Sequence, residues 1–291
     1  MPSPRFERAR PLLGTLVAIK LQGLAEAEAH RAIGRGFAEI SKVHSLMSFH
    51  ERASDVSRAN FAAHREPVAV HPYTFEVLRR AVDLAASTEG VFDPTIGEKL
   101  VGWGYLPEPE FSDAPDPKAT WRDIEFLDGN IVLFRRPLWI DLGGIAKGYA
   151  VDRAVEGLGI DPNIQCCVNA GGDLRVCGPA AERIQLKVEP AGPEIPVLEI
   201  ENGSVASSSG YGLGGRCEEG VTGPHLDGIR RRAVGSRSFA TVLAENCITA
   251  DALTKVVLAK GSRSDSILRR EGAAAYLHTA GDGWRTLGVQ S

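Results

Sequence analysis

The sequence predicts a mixed α/β (α+β) fold with largely antiparallel sheets flanked by helices. Three observations support this prediction. Residues 124–134, IEFLDGNIVLF, place two β-type runs around Asp128-Gly129, which is a hairpin signal. Residues 166–178, CCVNAGGDLRVCG, predict a strand, a glycine turn and a second strand. Segments with helical apolar spacing lie between such strands, so hairpins and helices are expected to share one core.

The first ninety residues predict one strand and two amphipathic helices. Residues 12–21, LLGTLVAIKL, alternate well enough to form a first strand. Residues 25–48 follow with close to helical spacing of the apolar residues Ala29, Ile33, Phe37, Ile40, Val43 and Leu46. Residues 72–90 predict a second helix that ends near Gly90, a suitable C-cap residue. Its apolar face consists of Phe75, Leu78, Val82 and Ala85.

The middle of the chain is richer in turn residues. Residues 91–105, VFDPTIGEKLVGWGY, contain many glycines, and residues 106–120, LPEPEFSDAPDPKAT, predict a surface loop rich in proline and acids. Residues 138–144, LWIDLGG, then lead from a strand into a helix. One side of that helix is expected to carry Ala146, Ala150, Ala154 and Leu158.

The remaining segments predict further strands and one long helix. Strand candidates occupy residues 183–190, 197–209 and 238–244, and residues 247–261, CITADALTKVVLAKG, predict a late helix. Residues 273–284, AAAYLHTAGDGW, predict a final hairpin. A chain of 291 residues is long enough for one large domain or two lobes that share a core, and no internal repeat is found.

Composition excludes several classes of partner. The 291 residues are 43% hydrophobic and 24% charged, which is typical of a globular protein. The formal net charge of −4 argues against nucleic acid, because phosphate binding favours a basic surface. The cluster Arg230, Arg231 and Arg232 is interpreted as a solvated turn.

The five cysteines predict a reducing compartment. They form no CxxC pair and no even framework, so buried thiols are expected. The charged start of the chain does not resemble a signal peptide, and no apolar run is long enough to span a membrane. A cytoplasmic location is therefore expected.

The most informative motif is the strand-to-helix turn in residues 140–154, IDLGGIAKGYAVDRA. It places Asp141, Gly143, Gly144 and Lys147 where a helix opens. Backbone N–H groups at such turns can face a phosphate, and a carboxylate there can face a base or a metal. Asp141 could instead simply cap a helix that begins near Gly143.

Other motifs also have plain structural alternatives. Asn169 to Asp173 could be only a tight hairpin that requires positive φ. Asp251 and Lys255 could be an exposed i,i+4 ion pair. Residues 210–215, GYGLGG, satisfy G-x-G-x-x-G, but no helical pattern follows, so this match is interpreted as accidental.

Taken in order, several segments resemble one family. They are LLGT (12–15), MSFHERASDVSRAN (47–60), FDPTIG (92–97), DLGGIAKGYAVD (141–152), VNAGGDL (168–174), ASSSGY (206–211) and ADALTKVVLAKG (250–261). This sequence resembles the ApbE family of FAD:protein FMN transferases over nearly its whole length. The most specific segments are 141–152 and 168–174. The resemblance implies an ApbE-like fold with a nucleotide cleft between two lobes, and a single domain over residues 1–291.

The resemblance also implies the substrates and their contacts. FAD is the expected substrate, and its FMN half is expected to pass to a Thr or Ser hydroxyl of a target flavoprotein while AMP leaves. Residues expected to bind FAD are Leu13, His50, Asp93, Thr95, Asp141, Lys147, Asn169, Gly171, Gly172, Asp173, Ser207, Ser208 and Tyr211.

Mg²⁺ is the expected ion, held by the Gly144 carbonyl and the Asp251 carboxylate. His225, Asp251 and Lys255 are the expected catalytic residues, with His225 activating the acceptor hydroxyl because the pKa of histidine lies nearest the working pH.

The sequence departs from the family at its chemical centre. Lys255 stands where the family usually has a threonine that binds the metal, so either Thr254 substitutes through a local shift or Lys255 takes the place of the cation. The family motif HxxDPxTG is broken in PHLDGIRRR, which keeps His225 and Asp227. His50 and Leu13 replace a tyrosine and a methionine.

These departures keep three functions open. The first is FMN transfer to a protein. The second is a silent member of the family that binds flavin or another nucleotide without transfer. The third is an FAD pyrophosphatase that hydrolyses FAD to FMN and AMP.

Overall fold

A computed structural model describes residues 4–109, 113–188, 196–211, 215–217, 220–234 and 237–289. Strands occur in chain order as β1 (Arg5–Leu12), β2 (Thr15–Gln22), β3 (Val68–Ala69), β4 (Ile124–Leu127), β5 (Ile131–Phe134), β6 (Gln165–Ala170), β7 (Asp173–Cys177), β8 (Glu182–Gln185), β9 (Val197–Ile200), β10 (Gly203–Ser209), β11 (Gly215–Cys217), β12 (Gly220–Thr222), β13 (Leu226–Asp227), β14 (Arg232–Ala233), β15 (Ser238–Ala244), β16 (Ala274–Thr279) and β17 (Gly283–Leu287). The α-helices are α1 (Glu26–Met47), α2 (Asp55–Ala62), α3 (Pro72–Ser87), α4 (Gly97–Gly102), α5 (Ala146–Gly157), α6 (Cys247–Lys260) and α7 (Asp265–Arg270).

One antiparallel sheet of eight strands organises the molecule. Its order is β1-β2-β6-β7-β10-β15-β16-β17, so most neighbours in space are also neighbours in sequence. A three-stranded sheet, β3-β5-β4, contains the hairpin predicted around Asp128-Gly129, with Leu127 opposite Ile131. The predicted combination of antiparallel sheets and flanking helices is confirmed.

The two faces of the large sheet carry different covers. On one face Val17, Ile19 and Val242 pack with helices in the main apolar cluster, where α1 lies on α5 and α5 lies on α6. On the other face Val205 and Phe239 belong to a smaller cluster, together with residues of β8 and β9. This alternation along β10 and β15 is the period-two pattern of strands buried on both sides.

The prediction of one first strand at residues 12–21 is wrong, because the chain forms two strands, β1 and β2, and the first of them begins at Arg5. Residues 12–21 contain a hairpin turn, because Leu13 and Gly14 have φ of 55° and 70° and Leu12 pairs with Thr15. Positive φ at both central residues is the geometry of a tight β-hairpin turn. The preceding strand, β1, is a largely exposed edge strand, and its charged residues hide the alternation that would have revealed it.

The predicted helices form, but the predicted apolar face of α3 is only partly correct. Leu78 and Ala85 are buried, whereas Phe75 and Val82 are half-buried and the buried face includes Val77, Ala81 and Leu84. In α1 the residues Ala29, Ile33, Phe37, Ile40 and Val43 are buried, while Leu46 is half-buried. The predicted strand at residues 197–209 divides instead into β9 and β10, which belong to different sheets and are separated at Glu201-Asn202. Residues 189–190 and 212–214 of two predicted segments lie outside the described residues.

Four cysteines have described side chains and are free thiols: Cys166, Cys167 and Cys247 are buried, and Cys177 is half-buried. Within the described ranges, no helix has both the length and the apolar character that a bilayer crossing demands.

Candidate functional site

A cavity of about 1040 Å³ lies between the helix-rich face of the molecule and the turns of the large sheet. This volume is at the upper end of the range for small-molecule sites, about 300–1000 Å³. The sequence-predicted residues that line it are Leu13, His50, Asp93, Asp141, Gly144, Lys147, Asn169, Gly171, Gly172, Ser207, Ser208, His225 and Lys255. The other predicted residues, Thr95, Asp173, Tyr211, Asp251 and Thr254, are not among the lining residues.

The strand-to-helix turn brings the backbone of residues 141–147 to the cavity. Asp141 Oδ1 accepts a 3.1 Å hydrogen bond from the Gly143 N–H, and Asp141 N–H donates to the Pro94 carbonyl at 2.8 Å. Helix α5 begins only at Ala146, with no side-chain cap at Ile145, so the alternative that Asp141 caps this helix is wrong. The Asp141 carboxylate shapes the turn before the helix and faces the cavity.

Lys147 extends from the first turn of α5 and pairs with Asp173 on β7. Lys147 Nζ donates to Asp173 Oδ2 at 2.7 Å, and Asp173 Oδ1 accepts from the Ser207 N–H at 3.3 Å. The Asp173 side chain is 1% exposed and the Lys147 side chain 34% exposed. Asp173 therefore lies behind Lys147, and the Lys147 ammonium faces the cavity.

The charges around this pair are strongly coupled. Burial raises the pKa of Asp173 to about 6 and the Asp251 carboxylate adds to this, while Lys147 and Lys255 act in the opposite direction. Burial alone would lower the pKa of Lys147, but the carboxylates of Asp251 and Asp173 raise it well above its ordinary value. Burial also raises the pKa of Asp141, and the Lys255 ammonium again opposes the shift. Two lysines and three carboxylates thus share one electrostatic environment.

Lys255 and Asp251 form a second pair, on helix α6. Lys255 Nζ donates to Asp251 Oδ1 and, at 3.1 Å, to the Asp251 carbonyl. Asp251 Oδ2 accepts from the Gly148 N–H at 3.0 Å. The Asp251 side chain is 0% exposed and that of Lys255 is 13% exposed, so the expected ion pair exists but is buried rather than exposed.

Gly148 is required by the close approach of α5 and α6. A Cβ atom at this position would lie 2.2 Å from the Cys247 carbonyl oxygen and 2.8 Å from Asp251 Cβ. Only glycine lets the two helices come near enough for the Gly148 N–H to reach Asp251.

The glycine turn between β6 and β7 is both a tight hairpin and part of the cavity wall. Asn169 Oδ1 accepts from the Gly172 N–H at 2.9 Å, and Gly171 has a φ of 65°. A Cβ atom on Gly171 would lie 2.4 Å from Thr15 Oγ1, so the hairpin also packs closely on the β1–β2 turn. The structural alternative for this motif is correct, and it coexists with a position at the cavity.

The turn at Asp93 to Thr95 is held by an arginine that sequence reasoning missed. Asp93 Oδ1 accepts from the Thr95 N–H and hydroxyl, at 2.8 and 2.7 Å. Asp93 Oδ2 is 2.9 Å from an Nη of Arg231, which also donates to the Thr95 carbonyl. Burial raises the pKa of Asp93, and Arg231 opposes the shift. Arg231 therefore anchors a turn of the cavity, although the arginine cluster predicted only a solvated loop.

His225 lines the cavity, but its acidity differs from the expectation. Burial, together with the nearby Lys255 ammonium, lowers the pKa of His225 to about 4. Its imidazole is therefore neutral at pH 7, and the argument that its pKa lies near the working pH is wrong for the free protein. The acid that follows, Asp227, accepts from the Ile229 and Arg230 N–H groups and closes its own turn.

Two serines of β10 that line the cavity are hydrogen-bonded to threonines behind them. Ser207 Oγ is hydrogen-bonded to Thr241 Oγ1 at 2.9 Å, and Ser208 Oγ to Thr254 Oγ1 at 2.7 Å. The Tyr211 hydroxyl lies 3.1 Å from His278 Nδ1, outside the cavity lining. The predicted contact of Tyr211 with flavin remains a prediction.

The second wall of the cavity is apolar and was not predicted. It comes from the end of α1 and from the segments that follow α1 and α3, and it includes Val43, Met47, Phe49, Phe92, Ile96, Leu100, Tyr105 and Leu106. Helical spacing did place Val43 on a buried face, but that spacing cannot distinguish a core contact from a cavity wall. Phe92, directly before Asp93-Pro94-Thr95, is the residue that the motif itself could have indicated.

The predicted metal ligands do not form an open site for Mg²⁺. Each carboxylate oxygen of Asp251 already accepts a hydrogen bond, from Lys255 or from Gly148. Thr254 Oγ1 donates to the Asp251 carbonyl at 2.7 Å and is fully buried, so a shift that would bring it to the cavity is not observed. Within the described residues, no three His, Cys, Asp or Glu side chains are grouped so that they could hold a metal ion. The donor set at Asp251 fits an ammonium rather than a divalent cation.

Comparisons with known proteins agree with the fold. Residues 13–277 match the ApbE family. The FAD:protein FMN transferase of Vibrio cholerae is 28% identical over 280 residues, which cover 89% of this chain and 83% of the relative. The crystal structure of the ApbE protein of Thermotoga maritima has a TM-score of 0.81 at 28% identity and covers 97% of this chain and 96% of that chain. The flavin transferase ApbE from Vibrio cholerae has a TM-score of 0.79 at 24% identity, with 98% and 97% covered, and this likeness concerns the fold alone.

Proposed function

Because the chain belongs to the ApbE family, we propose that it transfers the FMN half of FAD to a threonine or serine hydroxyl of a target flavoprotein and releases AMP. The proposal includes FAD as substrate, residues 1–291 as one working domain, and the cytoplasm as the place of action. The cytoplasmic location rests on the cysteine pattern.

One observation carries the proposal. The cavity has an apolar wall that includes Phe49, Phe92 and Met47, and a polar wall that presents the ammonium groups of Lys147 and Lys255. A molecule with flat aromatic rings joined through a diphosphate matches this division, because rings favour the apolar wall and phosphate oxygens favour the cations. The name shared by the curated relatives, FAD:protein FMN transferase, supports the same substrate.

The polar wall would hold the diphosphate in a defined place. Lys147 and Lys255 are each fixed by a buried carboxylate, so their charges are oriented before the substrate arrives. The glycine turn at Gly171-Gly172 and the backbone at Gly143-Gly144 add surface without bulky side chains. Fixed positive charge of this kind stabilises the negative charge that develops during phosphoryl transfer.

The transfer step would form one bond and break another. The acceptor hydroxyl oxygen would bond to the phosphorus on the FMN side, while the bond from that phosphorus to the bridging oxygen breaks. AMP would leave with the bridging oxygen, and the hydroxyl proton would pass to the neutral imidazole of His225. The negative charge of a bound diphosphate beside His225 would raise the pKa of that imidazole from its low value and make it a better proton acceptor.

No step of this mechanism is assigned to a metal ion, because the residues at Asp251 do not fit one. The chain's own residues supply three functions. Lys147 and Lys255 bind the diphosphate, Asp173 and Asp251 orient these two lysines, and His225 accepts the proton.

The test uses the purified protein with FAD and a flavoprotein that carries a candidate acceptor threonine. The expected result is release of AMP together with a mass increase of the acceptor equal to the FMN group. An acceptor with alanine in place of that threonine is the matched control, and it should gain no mass. AMP and free FMN without any labelled acceptor would mean hydrolysis instead of transfer.

A second candidate function is binding of FAD without transfer. The pair Lys255–Asp251 and the rearranged segment around His225 favour it, because both alter the chemical centre of the family. FAD that stays bound and intact with the acceptor, with and without Mg²⁺, would identify a binding protein and reject the transferase.

A further inference from the structure

The Lys255 side chain contacts both residues that were expected to hold a metal, Gly144 and Asp251. Its Nζ donates to Asp251 Oδ1 and to the Asp251 carbonyl. Its Cε lies 3.6 Å from the point where a Cβ atom on Gly144 would be, so the lysine stem passes over that glycine. The side chain is only 13% exposed, yet it lines the cavity. The lysine stem therefore lies against Gly144 while its ammonium is held on Asp251.

A divalent cation and this ammonium compete for the same oxygen. Mg²⁺ requires oxygen ligands at about 2.0–2.1 Å in near-octahedral geometry. Binding it to Asp251 would require Lys255 to leave Oδ1 and would bring a double positive charge against a buried ammonium. Bringing like charges together in this way is costly where water is excluded.

The ammonium keeps a donor for a ligand. A lysine has three N–H donors, and Lys255 uses two of them on Asp251. Lys147 uses one donor on Asp173, which leaves two. Since both lysines line the cavity, they can donate to phosphate oxygens without releasing their carboxylates.

We propose that Lys255 replaces the divalent cation, so that the ammonium groups of Lys255 and Lys147 bind the diphosphate of FAD directly and the protein binds FAD without a metal. This inference rests on the proposed function, because FAD supplies the diphosphate. It concerns binding, so it can be tested whether or not an acceptor protein is known.

The test is a calorimetric titration of the protein with FAD, performed once in excess EDTA and once in excess Mg²⁺. The protein is dialysed against EDTA before both titrations. The expected dissociation constants agree within about twofold. Binding that is weaker by about tenfold or more in EDTA would overturn the inference and leave the proposed function standing. Absence of FAD binding under both conditions would overturn the proposed function together with the inference.

Two substitutions separate the charge of Lys255 from its bulk. Lys255→Met should weaken FAD binding in EDTA by about ten- to a hundredfold, the scale of one hydrogen bond to a charged group. Lys255→Thr removes the ammonium and adds a hydroxyl, so binding should become about tenfold tighter in Mg²⁺ than in EDTA.

The matched control is Lys260→Met, which removes a lysine from the last turn of the same helix, outside the cavity lining. It should leave FAD binding unchanged in both buffers. Circular dichroism checks that each variant is folded. If Lys255→Met, while folded, binds FAD in EDTA as tightly as the parent protein, Lys255 does not hold the diphosphate and the inference is wrong.

Discussion

Two lysine–aspartate pairs lie at the same cavity, and they are built in different ways. Lys147 on α5 reaches Asp173 on β7, so this pair depends on how a helix packs against the sheet. Lys255 and Asp251 are four residues apart on α6, so this pair depends only on helical geometry. In both cases a buried acid lies behind a lysine that lines the cavity. The comparison shows that the same local chemistry can arise from tertiary packing or from a single helix.

The two acids also fix different parts of the molecule. Asp173 accepts from the Ser207 N–H and so links α5 to β10 through Lys147. Asp251 accepts from the Gly148 N–H and so links α6 to α5. Segments 141–152 and 168–174, where the family resemblance is most specific, supply the first pair, whereas the second contains the departure at Lys255. The lysine at the position of this departure, Lys255, is therefore the one whose carboxylate partner lies on the same helix.

The largest effect on stability is expected from a substitution that breaks the Lys255–Asp251 pair. Asp251→Ala should lower the free energy of unfolding by about 3–5 kcal/mol, because it leaves the Lys255 ammonium buried without its partner. Asp173→Ala should cost less, since Lys147 is 34% exposed and can reach water. Urea denaturation of both variants measures the difference.

Asp251→Asn is the control for shape, because it keeps an acceptor for the Gly148 N–H but removes the charge. An equal loss of stability in Asp251→Ala and Asp173→Ala would contradict the distinction between the two pairs.

The sequence predicts the second pair better than the first for a physical reason. Spacing of four residues places Lys255 beside Asp251 on any helix, so only the degree of burial was wrong. The burial of this pair depends on how closely α5 approaches α6, and that approach is possible because Gly148 has no side chain to clash with Cys247. The contact of Lys147 with Asp173 joins residues 26 positions apart and no local rule contains it.

The same limit explains the other differences between the expected and observed site. Local signals located the hairpin around Asp128-Gly129 and the glycine turn at Gly171-Gly172, because positive φ and turn chemistry are properties of a few neighbouring residues. Arg231 reaches Asp93 from 138 positions away, so charge clustering alone could not assign it to the cavity. The apolar wall was hidden because helical periodicity marks buried residues without saying what covers them.

A smaller effect tests the approach of the two helices. Gly148→Ala should lower the free energy of unfolding by about 1–3 kcal/mol, since its Cβ would lie 2.2 Å from the Cys247 carbonyl oxygen and α5 and α6 must separate. It should also weaken the Lys255 pair, because Asp251 loses the Gly148 N–H. Urea denaturation and FAD titration in EDTA measure the two consequences.

Gly34→Ala is the matched control. Gly34 is a solvent-exposed residue in the middle of α1, and a Cβ atom there would have no neighbour within 4 Å. That variant should be stabilised by about 0.5–1 kcal/mol through the higher helix propensity of alanine. If Gly148→Ala behaved like Gly34→Ala, the close approach of α5 and α6 would not be a constraint.

The smallest expected effect is a dependence of stability on pH that reports on the second pair. Burial and the Lys255 ammonium lower the pKa of His225 from 6.5 to about 4. Between these two values the unfolded chain binds a proton that the folded chain does not, so the stability contributed by this group is complete above pH 6.5 and falls as the pH falls towards 4. His225→Gln should therefore lose about 1 kcal/mol less stability than the parent protein between pH 7.5 and pH 5.5. Urea denaturation at the two pH values measures it.

Asp173 contributes with the opposite sign, because its pKa is raised from 3.8 to about 6 and the folded chain binds the proton first as the pH falls. Comparing the variant with the parent protein cancels that contribution. Lys255→Thr should raise the pKa of His225 towards its ordinary value by more than Lys147→Met does, because Lys255 has the larger effect of the two lysines on this imidazole. NMR titration of the imidazole measures this directly, without the contribution of Asp173 to stability. If Lys147→Met raised the pKa of His225 more than Lys255→Thr does, His225 would belong electrostatically to the first pair and not to the second.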